Sequence, residues 1–166
     1  MSAYLGLPIL VLIAILQSTV VSNIHAFGGT PNLMLLAVVC WSLVARGAQG
    51  LVWAFWGGVL LDLFSGGPLG ASAAGLLLVV YLAGFTEGRL WGSRLLLPLA
   101  AVLFGSLMYH LVVLGFLVVF GRVVDLVSTV RTITFPSTFI NLVLTLPVYN
   151  LTRWFHNFLN PPAVEI

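Results

Sequence analysis

Hydrophobic residues run through this chain in long stretches, and short clusters of glycine, proline and polar residues cut it into six. The first stretch, about 4–22, ends at SNIHAFGGT, and the second runs to about 45. ARGAQG turns into a third, about 48–64, and Pro68 starts a fourth, about 68–86. TEGRLWGSR leads to a fifth, about 95–120, and a longer connection, 121–135, precedes the sixth, about 136–154. A helix needs about 20 apolar residues to cross the hydrocarbon core of a bilayer. The pattern therefore predicts an all-α, polytopic membrane protein of six transmembrane helices, the second and third being short for that core. Thr30 is placed to cap the second helix, with Pro31 as its first helical residue, and Pro68 does the same for the fourth. No basic residue precedes the first stretch, so it reads as a retained helix rather than a cleaved signal. Residues 1–154 form one transmembrane domain on this reading, and 155–166 a short cytoplasmic tail.

The connection GRVVDLVSTVRTITF has its own periodicity. Val123, Leu126, Val127, Val130 and Ile133 recur at helical spacing, with Arg122, Asp125, Ser128, Thr129 and Thr132 towards the other side. That arrangement predicts an amphipathic helix over 122–133 lying in the outer interface, either as a plain cover or as a docking surface. Small residues recur at helix-packing spacing in Ala54/Gly58, Ala71/Gly75 and Gly84/Gly88/Gly92, where helix backbones approach closely in lipid. Trp41, Trp53, Trp91 and Trp154 fall near the ends of the spans, as an interfacial aromatic belt would.

Composition narrows the function classes. The chain is 61% hydrophobic and 6% charged, where soluble domains carry about 25% charged residues. It has six arginines and no lysine, which excludes a Walker-type phosphate loop. The formal charge of +2 gives no basis for nucleic-acid binding. With six spans, Arg46, Arg89, Arg94 and Arg153 share one side, against Arg122 and Arg131 on the other. The positive-inside rule then puts both termini in the cytoplasm. Arg46, Arg89 and Arg94 serve there as positive-inside anchors, with attraction to anionic lipid headgroups or a cytoskeletal partner as the other reading. The single cysteine, Cys40, lies in an apolar run and reads as a small buried hydrophobe.

Polar residues inside apolar spans invite a search for chemistry. Ser65 and His110 would have to meet as nucleophile and base, but Ser65 belongs to a turn at the outer face and His110 to the middle of the fifth span. His110, beside Tyr109, reads instead as an interhelical hydrogen-bonding residue. His25, Asp62 and Asp125 show no metal-ligand spacing. Neither metal nor cofactor is expected. Asp62 ends the third span, where the helix dipole disfavours a carboxylate, yet the start of the fourth helix follows within a few residues and has free N–H groups. Gly66 and Gly67 let the backbone fold back, and Pro68 sets the first helical turn. The expectation is an acid that staples a tight turn, with donors between Ser65 and Gly70. Contact with a partner or ligand is the alternative.

Three segments resemble the MreD family of bacterial rod shape-determining membrane proteins: TPNLMLLAVVCWSL, GGVLLDLFSGGPLGASAAGLLLVVYLAG and FPSTFINLVLTLPVYNL. The spacing of Gly58, Asp62, Leu69, Gly70 and Tyr81 is the most specific part, with Asn141 and Pro147 in support. Asn32 stands where the family usually has Asp after Pro. The resemblance implies a non-enzymatic subunit of the cell-elongation machinery in the inner membrane. Its implied partners are the bitopic protein MreC, through it MreB, and a synthase formed by RodA and a class B penicillin-binding protein. The family also resembles, in fold, the six-helix substrate-binding subunits of energy-coupling-factor vitamin transporters, and that supplies an alternative function. The interaction residues expected are those of the Asp62–Gly70 turn (Asp62, Ser65, Gly66, Gly67, Pro68, Gly70), the fourth span (Gly75, Tyr81, Gly84, Gly88), Asn32, Asn141, and Leu126 and Val130 of the amphipathic segment.

Overall fold

The computed structural model describes residues 2–19, 28–45, 48–86 and 96–159. His25, Arg46, Arg89, Arg94, Gly88, Trp91 and Gly92, and the end of the tail from residue 160, lie outside the described residues. The chain is helical, with no β-strand among the described residues. Its helices are α1 (Ser2–Thr19), α2 (Leu33–Ala45), α3 (Gln49–Ser65), α4 (Ala71–Thr86), α5 (Leu96–Val119), α6 (Leu126–Thr129) and α7 (Phe135–Leu159).

The arrangement follows from where the side chains are apolar all round. In α2, Met34, Leu35, Leu36, Val38, Val39, Cys40, Trp41 and Ser42 are all buried. A helix with no polar face belongs in the middle, and α2 packs on α1, α3, α4, α5 and α7. Its 13 residues rise only about 20 Å, short of a hydrocarbon core of about 30 Å. Clad by other helices, it has no need to match that thickness. Among the described residues two helices are long and apolar enough to cross a membrane, Leu96–Val119 and Val127–Leu159. The outer faces of the bundle remain hydrophobic, with Leu12, Phe104, Leu111, Phe139 and Leu151 all exposed.

Glycines set the closest crossings. A Cβ on Gly58 would fall inside the backbone of Ala73, so α3 and α4 touch there almost backbone to backbone. Gly75 receives the ring of Tyr109, and Gly6 receives the indole of Trp53. Gly84 has nothing within 4 Å. Ala54/Gly58 and Ala71/Gly75 thus serve packing within the bundle.

Several boundaries differ from the sequence expectations. α2 starts at Leu33, and its cap is Asn32: the Asn32 Oδ1 accepts from the Leu35 N–H at 3.0 Å. Thr30 and Pro31 are held by tertiary hydrogen bonds instead, which leaves the next residue to begin the helix. α4 starts at Ala71, with Pro68 in the turn before it. The last helix runs to Leu159, past the expected end near 154. At its other end the amphipathic segment is fused to it: α6, a π-helical turn at Val130–Thr134 and α7 follow without a break. Pro136 has no N–H to offer the carbonyl of Thr132, and a π turn is a usual way for a helix to absorb such a gap. Asp125 begins the fused helix, its Oδ1 accepting from the N–H groups of Val127 and Ser128 at 3.2 and 3.3 Å. Trp41 and Trp53 are not belt residues. They stack at 4.3 Å with an interplanar angle of 9°, both buried, with Phe155 and His156 on the edges of Trp41. Trp154, 64% exposed, stays on the surface.

Candidate functional site

The polar side chains of the bundle gather near the α3–α4 turn. Asp62 is 4% exposed. Its Oδ2 accepts from the Gly70 N–H at 2.8 Å and from the Ala73 N–H at 3.3 Å, and its Oδ1 accepts from the Ser72 N–H at 2.9 Å. A helix start leaves its first amides without intrahelical partners. At α4 the Ala71 N–H reaches the Pro68 carbonyl at 3.2 Å, and Asp62, from the preceding helix, takes the next two. The accounting of the first turn is complete. The carboxylate also sits at the positive end of the α4 dipole, which offsets its position at the end of α3.

The turn itself is made by residues that tolerate left-handed backbone. Gly66 ends α3 at φ 63°, and Gly70 precedes α4 at φ 94°. Of the donors expected between Ser65 and Gly70 the structure uses Gly70, and the other two, Ser72 and Ala73, lie further along. Ser65 is exposed and its hydroxyl accepts only a long 3.4 Å bond from the Gly67 N–H.

A second cluster holds the entry to α2. Gln17 of α1 donates to the Pro31 carbonyl at 2.9 Å and accepts from the Leu33 N–H at 2.8 Å. Ser137 of α7 accepts from the Thr30 N–H at 3.1 Å. Asn141, with no exposed surface, accepts from the Asn32 N–H at 2.8 Å and donates to the Ser106 hydroxyl at 3.1 Å. One amide side chain thereby joins α7, α5 and the start of α2. The Tyr109 hydroxyl donates to that of Ser72 at 3.0 Å, tying α5 to the stapled start of α4. Between the two clusters lies a cavity of about 320 Å³ lined by Gln17, Asn32, Ser65, Ser72 and Tyr109 among others. Most of those polar groups are already engaged: Gln17 with the backbone of Pro31 and Leu33, Asn32 with Leu35, and Tyr109 with Ser72.

Sequence reasoning singles out Asp62, Asn32 and Asn141, and the structure brings all three into these clusters. It misses Gln17, Ser72, Ser106, Tyr109 and Ser137 as bonding groups. One signal was legible: Thr134, Ser137, Thr138, Asn141 and Thr145 form a polar stripe at helical spacing, and all five are buried. The hydroxyls of Thr134 and Thr138 bond to nothing among the described residues, and we have no physical account of it.

Other expected residues lie elsewhere. Tyr81 is 57% exposed on the flank of α4, where Gly84 is also open. Val130 is half-buried in the π turn, and Leu126 opens α6. His110 bonds within its own helix, Nδ1 to the Ser106 carbonyl at 2.7 Å, rather than between helices. Neither it nor Ser65 uses the other. No group of three or more metal-ligating side chains occurs among the described residues.

With that geometry in place, comparison with known families matches the chain over residues 2–158 to the family described as rod shape-determining protein MreD. No curated protein and no solved structure matches the chain.

Proposed function

The chain belongs to the MreD family, whose role is in rod shape determination, and from that premise we propose that it is a non-catalytic membrane adapter of the cell-elongation complex. On this reading it spans the bacterial inner membrane six times, with both termini in the cytoplasm. It holds MreC and helps position or activate the synthase of RodA and a class B penicillin-binding protein, with MreB linked through MreC. The observation that carries the proposal is the contrast between interior and flank. Asp62 and Asn141, the most deeply buried acid and amide, are matched to backbone amides and to Ser106, and no nucleophile–base pair occurs among the described residues. The flanks are apolar, as association between helices in lipid requires. The docking edges we assign are the exposed side of α4 around Tyr81 and Gly84, the α3–α4 turn, and the uncovered apolar face of 122–133, where Val123, Val127 and Ile133 are exposed.

The polar cavity of about 320 Å³ favours a second reading, a small-molecule binding subunit of a transporter. Against it stands the saturation of its lining: both polar atoms of the Gln17 amide are already bonded. Photo-crosslinkers placed along α3, α4, α5 and 122–133 separate the two. Capture of an MreC helix at α4 or 122–133 supports the adapter. A co-purifying small molecule with no protein partner sinks it.

A further inference from the structure

α3 and α5 present apolar belts of different height to their surroundings. Both helices pack on α2, and α4 lies between them. The belt on α3 consists of Leu51, Val52, Phe55, Trp56, Leu63 and Phe64, all exposed. Exposed Gln49 closes it at one end, and exposed Ser65, Gly66 and Gly67 at the other. Leu69 adds no height, because the N–H of the next residue reaches back to Asp62. From Leu51 to Phe64 the helix rises about 20 Å. α5 carries no charged residue along its 24 positions, with Leu96, Leu111 and Val119 exposed from one end to the other. It rises about 35 Å.

Tilt lowers a belt and never raises it. α5 fits a hydrocarbon core of about 30 Å at a tilt of about 30°. α3 falls about 10 Å short of that core at any tilt. Such a deficit is met by side chains that reach outward, by neighbouring protein, or by a bilayer drawn thinner. Gln49 and Ser65 carry no long charged arm to reach outward. Close packing of a second helix needs small residues, and those of α3 point the wrong way: Gly50, Ala54, Gly57 and Gly58 are all buried in the bundle. Large side chains alone make up its outer face. We propose that the outer face of α3 is a lipid-selective surface that favours phospholipids of short acyl chain and thins the bilayer beside it, while α5 meets a bilayer of full thickness. The proposal rests on the reading above that the chain spans a membrane.

Trp56 supplies the readout on α3, and Leu111→Trp combined with Trp56→Phe moves it to α5. Both full-length proteins carry Trp91→Phe and Trp154→Phe. The buried Trp41–Trp53 pair stays, and its emission is measured in a third protein without the other indoles and subtracted. Each protein is reconstituted in dibrominated eighteen-carbon phosphatidylcholine, bromine being a contact quencher. That lipid is diluted with an equal amount of unbrominated phosphatidylcholine of fourteen or twenty-two carbons per chain. At Trp56 the shorter diluent displaces the brominated lipid and relieves quenching about twofold more than the longer one. On α5 the two act equally or in the reverse order. Gln49→Leu with Ser65→Leu lengthens the α3 belt by about 5 Å and narrows the preference at Trp56. Should that protein lose helicity, Gln49→Leu alone gives a smaller shift in the same direction. The same preference at both reporters, or one at Trp56 that the longer belt does not move, overturns the lipid surface alone. So does quenching on α5 with none at Trp56, which means that protein covers α3. Quenching at neither reporter overturns the spanning reading as well.

Discussion

The two ends of this bundle are held by different forces. At the end that carries the α3–α4 turn, Asp62, Asn141, Gln17 and Ser137 make directed bonds to backbone amides and carbonyls at the starts of α4 and α2. At the other end, Trp41 stacks on Trp53, with Gly6 opening space for the indole and Phe155 and His156 on the edge. In lipid the second kind of contact has no hydrophobic driving force behind it, because hydrocarbon surrounds the helices whether or not they meet. Directional bonds therefore fix the geometry of the polar end, while shape alone fixes that of the aromatic end.

That contrast is breakable, and the largest effect belongs to Asp62. Asp62→Ala leaves the amides of Gly70, Ser72 and Ala73 unpaired, a loss of about 3 kcal/mol or more. Asp62→Asn keeps one acceptor oxygen and should recover part of it. Thermal unfolding of the purified variants in detergent reads both. Next comes Gly58→Ala, whose new methyl meets the Ala73 backbone; overpacking of that kind costs about 1–3 kcal/mol. Unchanged stability would mean that α3 and α4 are further apart than described here. Asn141→Ala removes two interhelical bonds, a smaller loss of about 1–2 kcal/mol given what such bonds are worth in membranes. The same melting series checks it. Smallest is Gly84→Ala, which meets nothing and should stabilise the helix by about 0.5–1 kcal/mol. Gly84→Leu should likewise leave the melting of the isolated protein unharmed but reduce crosslinking of a partner helix at α4. Full crosslinking in that variant removes α4 from the docking edges.

Much of the frame was legible in the sequence. The apolar stretches give α1 to α5 and the last helix, because composition alone decides whether such a stretch becomes a helix in lipid. Asp62 stood out because a lone carboxylate beside Gly66, Gly67 and Pro68 has few ways to be satisfied. Two of its three donors, Ser72 and Ala73, lie past the expected range, since the helix start at Ala71 depends on how the turn folds back and not on Pro68 alone. Gln17, Ser106 and Ser137 were invisible as partners because their bonds cross from one helix to another. Trp41 and Trp53 looked interfacial by their positions near span ends. The structure buries them because α2 is short and central, which no count of residues to the nearest loop reveals. The fusion of 122–133 to the last helix escaped for a local reason: the π turn carries the helix through Pro136 where a break was expected.

The central claim is that the buried polar groups build the scaffold and the flanks do the binding. Its most direct test is the amount of co-purifying MreC per folded molecule of Asp62→Ala, measured against the unaltered protein with melting read on the same preparations. The account predicts a lowered melting temperature with undiminished partner capture per folded molecule. An unchanged melting temperature with lost capture would make Asp62 a contact residue and contradict it.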